Sequence, residues 1–215
     1  MDKKEKALFI KEKLDEFFPH TKTFLNYKKD YELLFAVILS AQATDASVNK
    51  VTEKLFTALP DLEDYSYQNK DFILSCIKPV GLGNSKSEYL IKTALILLEK
   101  YHGVLPRERK ELMKLPGVGY KTSGVLLAEL YDAPFCPVDT HVYRVTHRLG
   151  IVRDSLSFEE TEEAVEKLFK GQKMISLHRQ LILFGRTICK AKNPNCERCP
   201  FLSFCRFYQK KKTSE

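Results

Sequence analysis

The 215-residue sequence lacks any apolar run that approaches the ~20 residues a helix needs to span a membrane. Its first residues, from Met1 to Lys13, are charged and lack the apolar core of a secretory signal peptide. It also has no internal repeat, and no low-complexity stretch apart from a basic tail. With 44% hydrophobic residues, a chain of this length predicts one large domain or two small ones, with a sizeable core and no membrane partner.

Acidic residues are scarce near the C-terminus. From Arg186 to Glu215 there are eight basic and two acidic residues, so this segment carries +6 of the net charge of +7. A localised basic segment favours a polyanionic partner, of which nucleic acid is the first candidate. The run of lysines at 210–212 is typical of a solvated tail. Four other basic residues are interleaved with cysteines and are expected to be fixed in space: Lys190, Lys192, Arg198 and Arg206.

Cysteine is scarce over most of the chain, and four of the six cysteines lie close together near its end: Cys189, Cys196, Cys199 and Cys205. Four thiolates in a short, basic segment indicate one metal centre that cross-links it. Disulfides are disfavoured, because Cys76 and Cys136 lie far apart in apolar stretches, as free thiols do in a reducing compartment. The spacing matches neither ferredoxin pattern, and four cysteines also suit zinc. The residues alone therefore leave iron–sulfur and zinc open.

Alternation typical of strands is rare, and apolar residues recur at helical spacing nearly everywhere. An almost continuous apolar stretch predicts one helix that runs up to Gln42, and a second stretch predicts another that reaches Tyr101. Ser157 and Glu160 form a capping box before a helix that ends near Gly171. A further helix leads into the first cysteine. The pattern predicts nine or ten helices and an all-α fold.

A second motif, L-P-G-V-G-Y-K-T, occupies residues 115–122. Two glycines around one apolar residue permit a tight turn, which exposes backbone N–H groups where the next helix starts. Such amides, together with the helix dipole, suit a phosphate group. The motif is not a Walker A loop, and an ordinary helix connection is the alternative. The flanking Leu-Pro and Lys-Thr pairs make it resemble a helix-hairpin-helix, which binds the DNA backbone.

Two residues near this motif are candidates for chemistry. Lys121 lies on the first turn of the predicted helix, where the positive end of the dipole and partial burial both favour a free amine. A free amine can form a Schiff base, although a phosphate contact or a solvated lysine is the alternative. Asp139, in P-V-D-T-H at 137–141, stands where a helix should begin and is expected to cap it. His141 is interpreted as a hydrogen-bonding structural residue.

These motifs together resemble the endonuclease III family, DNA base-excision-repair glycosylases with AP lyase activity. The resemblance rests on the hairpin with Lys121, on Asp139 in its P-V-D-T-H context and on the C-x6-C-x2-C-x5-C pattern. L-S-A-Q-A-T-D at 39–45 and G-L with N-S-K at 81–86 also match, and the similarity covers nearly the whole chain. It implies a six-helix barrel lobe at 23–135 and an iron–sulfur lobe formed by 1–22 with 136–215, with a DNA groove between them.

The resemblance also implies a role for each site residue. Lys121 would be the nucleophile and Asp139 the catalytic carboxylate, and a [4Fe–4S] cluster would bind to Cys189, Cys196, Cys199 and Cys205. The residues expected to contact DNA are the wedge residues Gln42 and Leu82, the hairpin glycines Gly117 and Gly119, and Lys190 and Lys192. Tyr120, Gly83 and Gly124 depart from the usual residues of the family, which affects lesion preference and the grip on the opposite strand.

We therefore predict a bifunctional enzyme that removes oxidised pyrimidines from duplex DNA and cleaves the strand at abasic sites. Two alternatives remain. The first is a monofunctional glycosylase of the same superfamily, although those enzymes usually lack a lysine at position 121. The second is a non-enzymatic DNA-binding scaffold, which needs neither Lys121 nor Asp139. The protein is expected to be monomeric, cytoplasmic and nucleoid-associated.

Overall fold

The structure is a computed structural model that describes residues 2–213. It divides into two compact units: a central unit, Thr23–Tyr131, and a terminal unit, Met1–Lys22 with Asp132–Glu215. The structure places the boundary after Tyr131, whereas the sequence predicted it after residue 135. Residues 1, 214 and 215 of the predicted cluster lobe lie outside the described residues. No helix among the described residues combines the length and the apolarity that crossing a membrane requires.

Residues 2–213 form eleven α-helices and four short 3₁₀-helices and contain no β-strand, which confirms the all-α prediction. In chain order the α-helices are α1 (Lys3–Phe17), α2 (Asp30–Leu39), α3 (Asp45–Ala58), α4 (Lys70–Ile77), α5 (Gly83–Tyr101), α6 (Arg109–Leu112), α7 (Tyr120–Tyr131), α8 (Thr140–Leu149), α9 (Phe158–Leu168), α10 (Met174–Thr187) and α11 (Arg206–Lys212). The 3₁₀-helices are Leu62–Asp64, Tyr67–Asn69, Lys78–Val80 and Cys196–Arg198.

The core of the central unit is built on α2 and α5. Every residue of α2 after Asp30 is buried, which explains its almost continuous apolar sequence. The helix ends at Leu39 and not at Gln42 as predicted, because Gln42 has a φ of 58°, a left-handed backbone that cannot continue the helix. Helix α5 packs against α2 and α4 and ends at Tyr101, as predicted.

The terminal unit joins α1 to helices from the other end of the chain. The side-chain amide of Gln180 on α10 donates to the carbonyls of Leu14 and Phe18, at 3.3 and 3.1 Å, and so satisfies acceptors at the C-terminal end of α1. The predicted capping box of Ser157 and Glu160 is present at the start of α9. That helix ends at Leu168, three residues before the predicted end near Gly171.

An aromatic cluster anchors the cysteine-rich segment. The buried ring of Phe201 lies 5.2 Å from that of Phe184 on α10 and 6.1 Å from that of Phe9 on α1, measured between ring centroids. Phe204 lies 5.9 Å from Phe201 in the same cluster. Aromatic pairs at these distances are stabilising beyond the area they bury. The segment that contains the cysteines is thereby attached to both α1 and α10.

Candidate active site and metal centre

The hairpin between α6 and α7 is held by α5. Gly117, at its turn, has a φ of 78°, and a Cβ added there would lie 2.8 Å from the ring of Tyr89. Thr93, one turn further along α5, donates its hydroxyl to the carbonyl of Pro116 at 3.3 Å. Glycine is thus needed at position 117 for two reasons, because the backbone is left-handed and because a side chain would meet the ring.

Lys121 is the second residue of α7, as predicted, and its side chain is exposed. Ser123 N–H donates to the carbonyl of Gly119 at 3.0 Å, and the amides before Ser123 lie at the N-terminal end, which a helix leaves without intrahelical partners. The predicted partial burial of Lys121 is wrong, because α7 turns Ser123 and Gly124 toward the core instead. An accessible amine therefore lies beside amides that suit a phosphate.

Asp139 caps α8, as predicted. Its Oδ1 accepts hydrogen bonds from the backbone N–H groups of His141 and Val142, at 2.9 and 2.8 Å, and its Oδ2 lies 3.0 Å from His141 Nδ1. Burial opposes ionisation of the carboxyl, but the hydrogen bonds from Val142 and His141 outweigh burial and lower the pKa of Asp139 below its usual value. Asp139 is therefore a fixed, oriented carboxylate at neutral pH.

The backbone before Asp139 is tied to two helices. His178 on α10 is buried, and its Nδ1 lies 2.7 Å from the carbonyl of Pro137. Because a carbonyl only accepts, Nδ1 carries the proton in this contact. Cys136 N–H donates to Glu166 Oε1 on α9 at 3.0 Å. Sequence reasoning missed His178 and Glu166, because each occupies an ordinary helical position and only the fold shows which segment it contacts.

The predicted wedge residues, Gln42 and Leu82, lie on two loops of the central unit. Both have left-handed backbones, with φ values of 58° and 53°. Both side chains are exposed, that of Leu82 to 56%. A Cβ added to the neighbouring Gly83 would lie 2.8 Å from Leu74 Cδ1, so in this chain Leu74 occupies space beside the loop that a larger residue at position 83 would need.

The cysteines of the predicted metal centre lie in the terminal unit and form no disulfide within residues 2–213. Burial, with a smaller contribution from the thiols of Cys205, Cys189 and Cys196, raises the pKa of Cys199 to about 12, so these three sulfurs lie within electrostatic reach of Cys199. Four such soft donors fit an iron–sulfur cluster, which binds them as thiolates. Among residues 2–213 no three His, Cys, Asp or Glu side chains are arranged as a single-ion site, so the side-chain positions alone do not identify the group.

Lys190 and Lys192 lie on the exposed loop between the first two cysteines. The guanidinium of Arg148 on α8 donates to the carbonyls of Lys190 and Ala191, at 2.7 and 3.0 Å. These bonds fix the backbone of the loop to the helix that Asp139 caps. Helix α8 thus carries the candidate carboxylate at its start and supports the basic loop near its end.

The predicted site residues fall into two sets. The central unit contains Gln42, Leu82, Gly117, Gly119 and Lys121, and within it α5 supports the hairpin directly. The terminal unit contains Asp139, Lys190, Lys192 and the four cysteines. Each set is organised by one helix, α5 in the first and α8 in the second.

Comparisons with known proteins identify the superfamily. The family model of the HhH-GPD superfamily of base excision DNA repair proteins matches residues 35–171, which include the hairpin and Asp139. The model of the iron–sulfur binding domain of endonuclease III matches residues 189–205, which begin and end at the outer cysteines. The fold and the site therefore define a helix-hairpin-helix protein of base excision DNA repair.

Individual relatives narrow the assignment. Endonuclease III of Bacillus subtilis (strain 168) is 41% identical over 203 residues, which cover 94% of this chain and 93% of that protein. Endonuclease III of Escherichia coli (strain K12) is 40% identical over 207 residues, 96% of this chain and 98% of that protein. A solved structure of a trapped endonuclease III–DNA covalent intermediate, an estranged-adenine complex, matches with a TM-score of 0.92 at 39% identity and covers 99% of this chain and 100% of that chain.

The chain belongs to the endonuclease III family. It is a DNA glycosylase and AP lyase of base excision repair, and its cofactor is a [4Fe–4S] cluster. The choice between iron–sulfur and zinc, which the residues left open, is thereby made in favour of the cluster that the resemblance implied.

Proposed function

We propose that the protein removes oxidised pyrimidines from duplex DNA through a Schiff base on Lys121 and cleaves the strand 3′ to the abasic site by β-elimination. The observation that carries the proposal is the position of Lys121, an exposed amine that follows the hairpin at the start of α7. The amides there suit a DNA phosphate, so that a bound nucleotide presents its sugar near the amine. A 39% identical relative, trapped as a covalent intermediate with DNA, supports covalent chemistry.

The proposed reaction proceeds in two stages. Deprotonated Lys121 Nζ attacks C1′ of the sugar, a C–N bond forms, and the base leaves with the electrons of the glycosidic bond and takes up a proton. The sugar ring opens to a protonated imine, which acidifies the C2′ protons. Loss of one C2′ proton then breaks the C3′–O bond, the 3′ phosphate leaves, and water hydrolyses the imine to release Lys121.

Asp139 acts in this scheme as an ionised carboxylate that is held in a fixed orientation. Because its pKa is below the usual value, it remains ionised while positive charge develops on the opening sugar and on the imine nitrogen. Its two backbone hydrogen bonds hold the carboxylate in place, so that little reorganisation accompanies the reaction.

The wedge and the choice of substrate follow from the cost of base extrusion. A base inside a duplex is inaccessible, so the damaged nucleotide must leave the stack, which costs a few kcal/mol. We propose that Gln42 and Leu82, both exposed, fill the space left behind. An oxidised pyrimidine that has lost aromaticity stacks poorly and is a better leaving group. Both its extrusion from the duplex and its departure from the sugar are therefore easier.

The cluster has a structural role in this proposal. Cys189, Cys196, Cys199 and Cys205 hold it as thiolates, and when bound it supplies four covalent cross-links to a segment with little core of its own. The loop between the first two cysteines then presents Lys190 and Lys192 to DNA phosphates. The hydrogen bonds from Arg148 to this loop support a fixed rather than a mobile presentation.

Borohydride trapping on duplex DNA that contains thymine glycol tests the proposal. We expect the wild-type protein to form a covalent adduct and Lys121→Ala to form none while it still binds the DNA, because only the nucleophile is removed. Lys110→Ala is the matched control, since Lys110 is an exposed lysine on α6 just before the same hairpin. Undiminished strand cleavage by Lys121→Ala would refute the assignment of the nucleophile.

The same assay separates the alternatives. A monofunctional glycosylase would release the base without a trapped adduct, and a scaffold would bind DNA without releasing a base. The presence of a lysine at position 121, and its exposure at the hairpin, favour the bifunctional enzyme over both.

The proposal includes a monomer in a reducing, cytoplasmic compartment that associates with the nucleoid. The buried free thiols of Cys76 and Cys136 suit such a compartment. Each of the two units also buries a core within the one chain. A dimer mass in light scattering would contradict the monomer.

A further inference from the structure

Lys86 is a buried lysine whose three N–H donors are all used. It lies on the first turn of α5, and only 2% of its surface is exposed. Its Nζ donates to the carbonyls of Leu39, Ala41 and Val80, at 2.9, 2.8 and 2.8 Å. Burying a lysine is costly unless its charge and donors are satisfied, and here the three carbonyls do so. So specific an arrangement indicates a purpose beyond filling the core.

The three carbonyls belong to two separate loops. Leu39 and Ala41 lie at the C-terminal end of α2 and in the 40–44 loop that follows it, where the helix dipole also favours a cation. Val80 lies in the 78–82 loop that leads into α5. Lys86 therefore joins the loop that carries Gln42 to the loop that carries Leu82.

Both loops hold a non-glycine residue in a left-handed backbone near the contact. Gln42 lies one residue after Ala41, and Leu82 two residues after Val80, and their φ values are 58° and 53°. Such conformations are strained for L residues and persist where the surrounding structure enforces them. The hydrogen bonds of Lys86 to the adjoining peptide groups provide that constraint.

We propose that Lys86 is a positioning residue for nucleotide extrusion: it ties the 40–44 and 78–82 loops together and so fixes the separation of the Gln42 and Leu82 side chains. This inference rests on the proposed wedge role of those two side chains. Lys86 itself contacts neither DNA nor the reacting sugar in this account. It acts by keeping two otherwise independent loops at the relative position in which both side chains can fill one gap in a duplex.

The test compares two substrates in single-turnover base release by Lys86→Met, which keeps an unbranched side chain, one heavy atom shorter than lysine, but has no donors. One duplex carries thymine glycol opposite adenine, and the other carries it opposite an abasic spacer, where pairing is already lost. We expect at least about a tenfold loss of rate on the first and less than about threefold on the second, because the wedge matters most when the base must be extruded from a pair. Equal losses on both would overturn the positioning role.

Two further variants keep the result interpretable. Lys29→Met is the matched control, because Lys29 Nζ also donates to a carbonyl of the central unit, that of Pro60 at 2.6 Å, away from both loops. It should leave both rates unchanged. If Lys86→Met does not fold, Lys86→Gln, which retains an amide donor, takes its place. We then expect the same ratio between the losses of rate on the two duplexes.

A double-mutant cycle provides the second measurement. In a Leu82→Ala background, where the wedge is already lost from an exposed position, the Lys86 substitution should cost less than about twofold on the paired substrate, because residues that act together are not additive. Full additivity would contradict the proposal. Borohydride trapping of the wild type is run alongside: its failure would reject the proposed function, whereas normal trapping with equal losses would reject only the role of Lys86.

Discussion

Asp139 combines a structural and a chemical role in a single side chain. Burial opposes its ionisation, but the Val142 N–H and the His141 side chain outweigh burial and lower the pKa of Asp139. The hydrogen bonds from the backbone N–H groups of His141 and Val142 fix the direction of the carboxylate. Because the pKa is lower in the folded protein than the value of about 3.9 in an unfolded chain, ionised Asp139 stabilises the fold above that pH. This contribution is lost as the pH falls through the folded pKa. The cap and the reactive carboxylate are thus favoured by the same protonation state.

Asp139→Asn separates the two roles, because asparagine is an equally good N-cap but carries no charge. We expect base release to slow by roughly 10²-fold, a typical loss for an acid–base or charge-stabilising group, while the melting temperature changes little. Single-turnover base release and thermal unfolding measure the two effects.

Ser157→Ala is the control for that comparison. It removes the side-chain cap of α9, which should cost about 1 kcal/mol of unfolding free energy and leave the rate of base release unchanged. An unaltered rate in Asp139→Asn would leave Asp139 with the role of a cap alone.

Among the elements, α5 organises the central unit. It carries Lys86 on its first turn and contacts the hairpin through Tyr89 and Thr93 on the following turns. One helix thus reaches the 40–44 loop, the 78–82 loop and the hairpin. The positions of these three loops relative to one another depend on the packing of α5 against α2.

Gly117→Ala tests the link between α5 and the hairpin. Alanine at this position has a strained left-handed backbone and also meets the ring of Tyr89, so the hairpin must move. We expect affinity for abasic-site DNA to fall by about tenfold, the equivalent of about 1.4 kcal/mol of lost phosphate contacts, as measured by fluorescence anisotropy.

Gly171→Ala is the matched control for this prediction. Gly171 has a φ of 89°, and an added Cβ there has nothing within 4 Å. The control therefore has the same backbone strain as Gly117→Ala but no clash. We expect it to lose about 1–2 kcal/mol of unfolding free energy and to bind DNA as the wild type does. Equal affinities in the two variants would show that the hairpin does not depend on its contact with α5.

Sequence reasoning succeeded at these elements where the determinants are local. The capping box of α9, the end of α5 at Tyr101 and the start of α7 at the hairpin each depend on a few neighbouring residues. The end of α2 was missed because it depends on the left-handed backbone of Gln42, beside a carbonyl that Lys86 binds.

The same distinction applies to the site. Lys121, Asp139 and the cysteines lie in short motifs that can be read from the chain. The partners of Lys86 and His178 lie as far as 47 and 41 residues away, so no spacing in the sequence indicates them.

For the whole molecule, the distribution of charge makes a prediction about affinity. The terminal segment contains most of the net positive charge, and its two exposed loop lysines are attached to α8 through Arg148. Lys190→Ala with Lys192→Ala should lower the slope of log affinity against log salt concentration by about two, because two fewer counterions are released from DNA. Salt titrations of DNA binding measure this slope.

The control for that prediction removes the same charge elsewhere. Lys50 and Lys54 are exposed lysines on α3, and their replacement by alanine should leave the slope unchanged. An unaltered slope in the Lys190 and Lys192 variant would mean that the loop between the first two cysteines faces away from DNA.

The aromatic contact between Phe9 and Phe201 has a consequence for biosynthesis. Helix α1 precedes the central unit in the chain, yet the rings that contact its Phe9 are those of Phe201 and Phe204, which follow that unit and lie beyond α10. Because domains fold as units during synthesis, the central unit can form on the nascent chain while α1 waits for its partners. The four clustered cysteines also follow the central unit in the chain, so all four can hold the cofactor only after the hairpin has been synthesised.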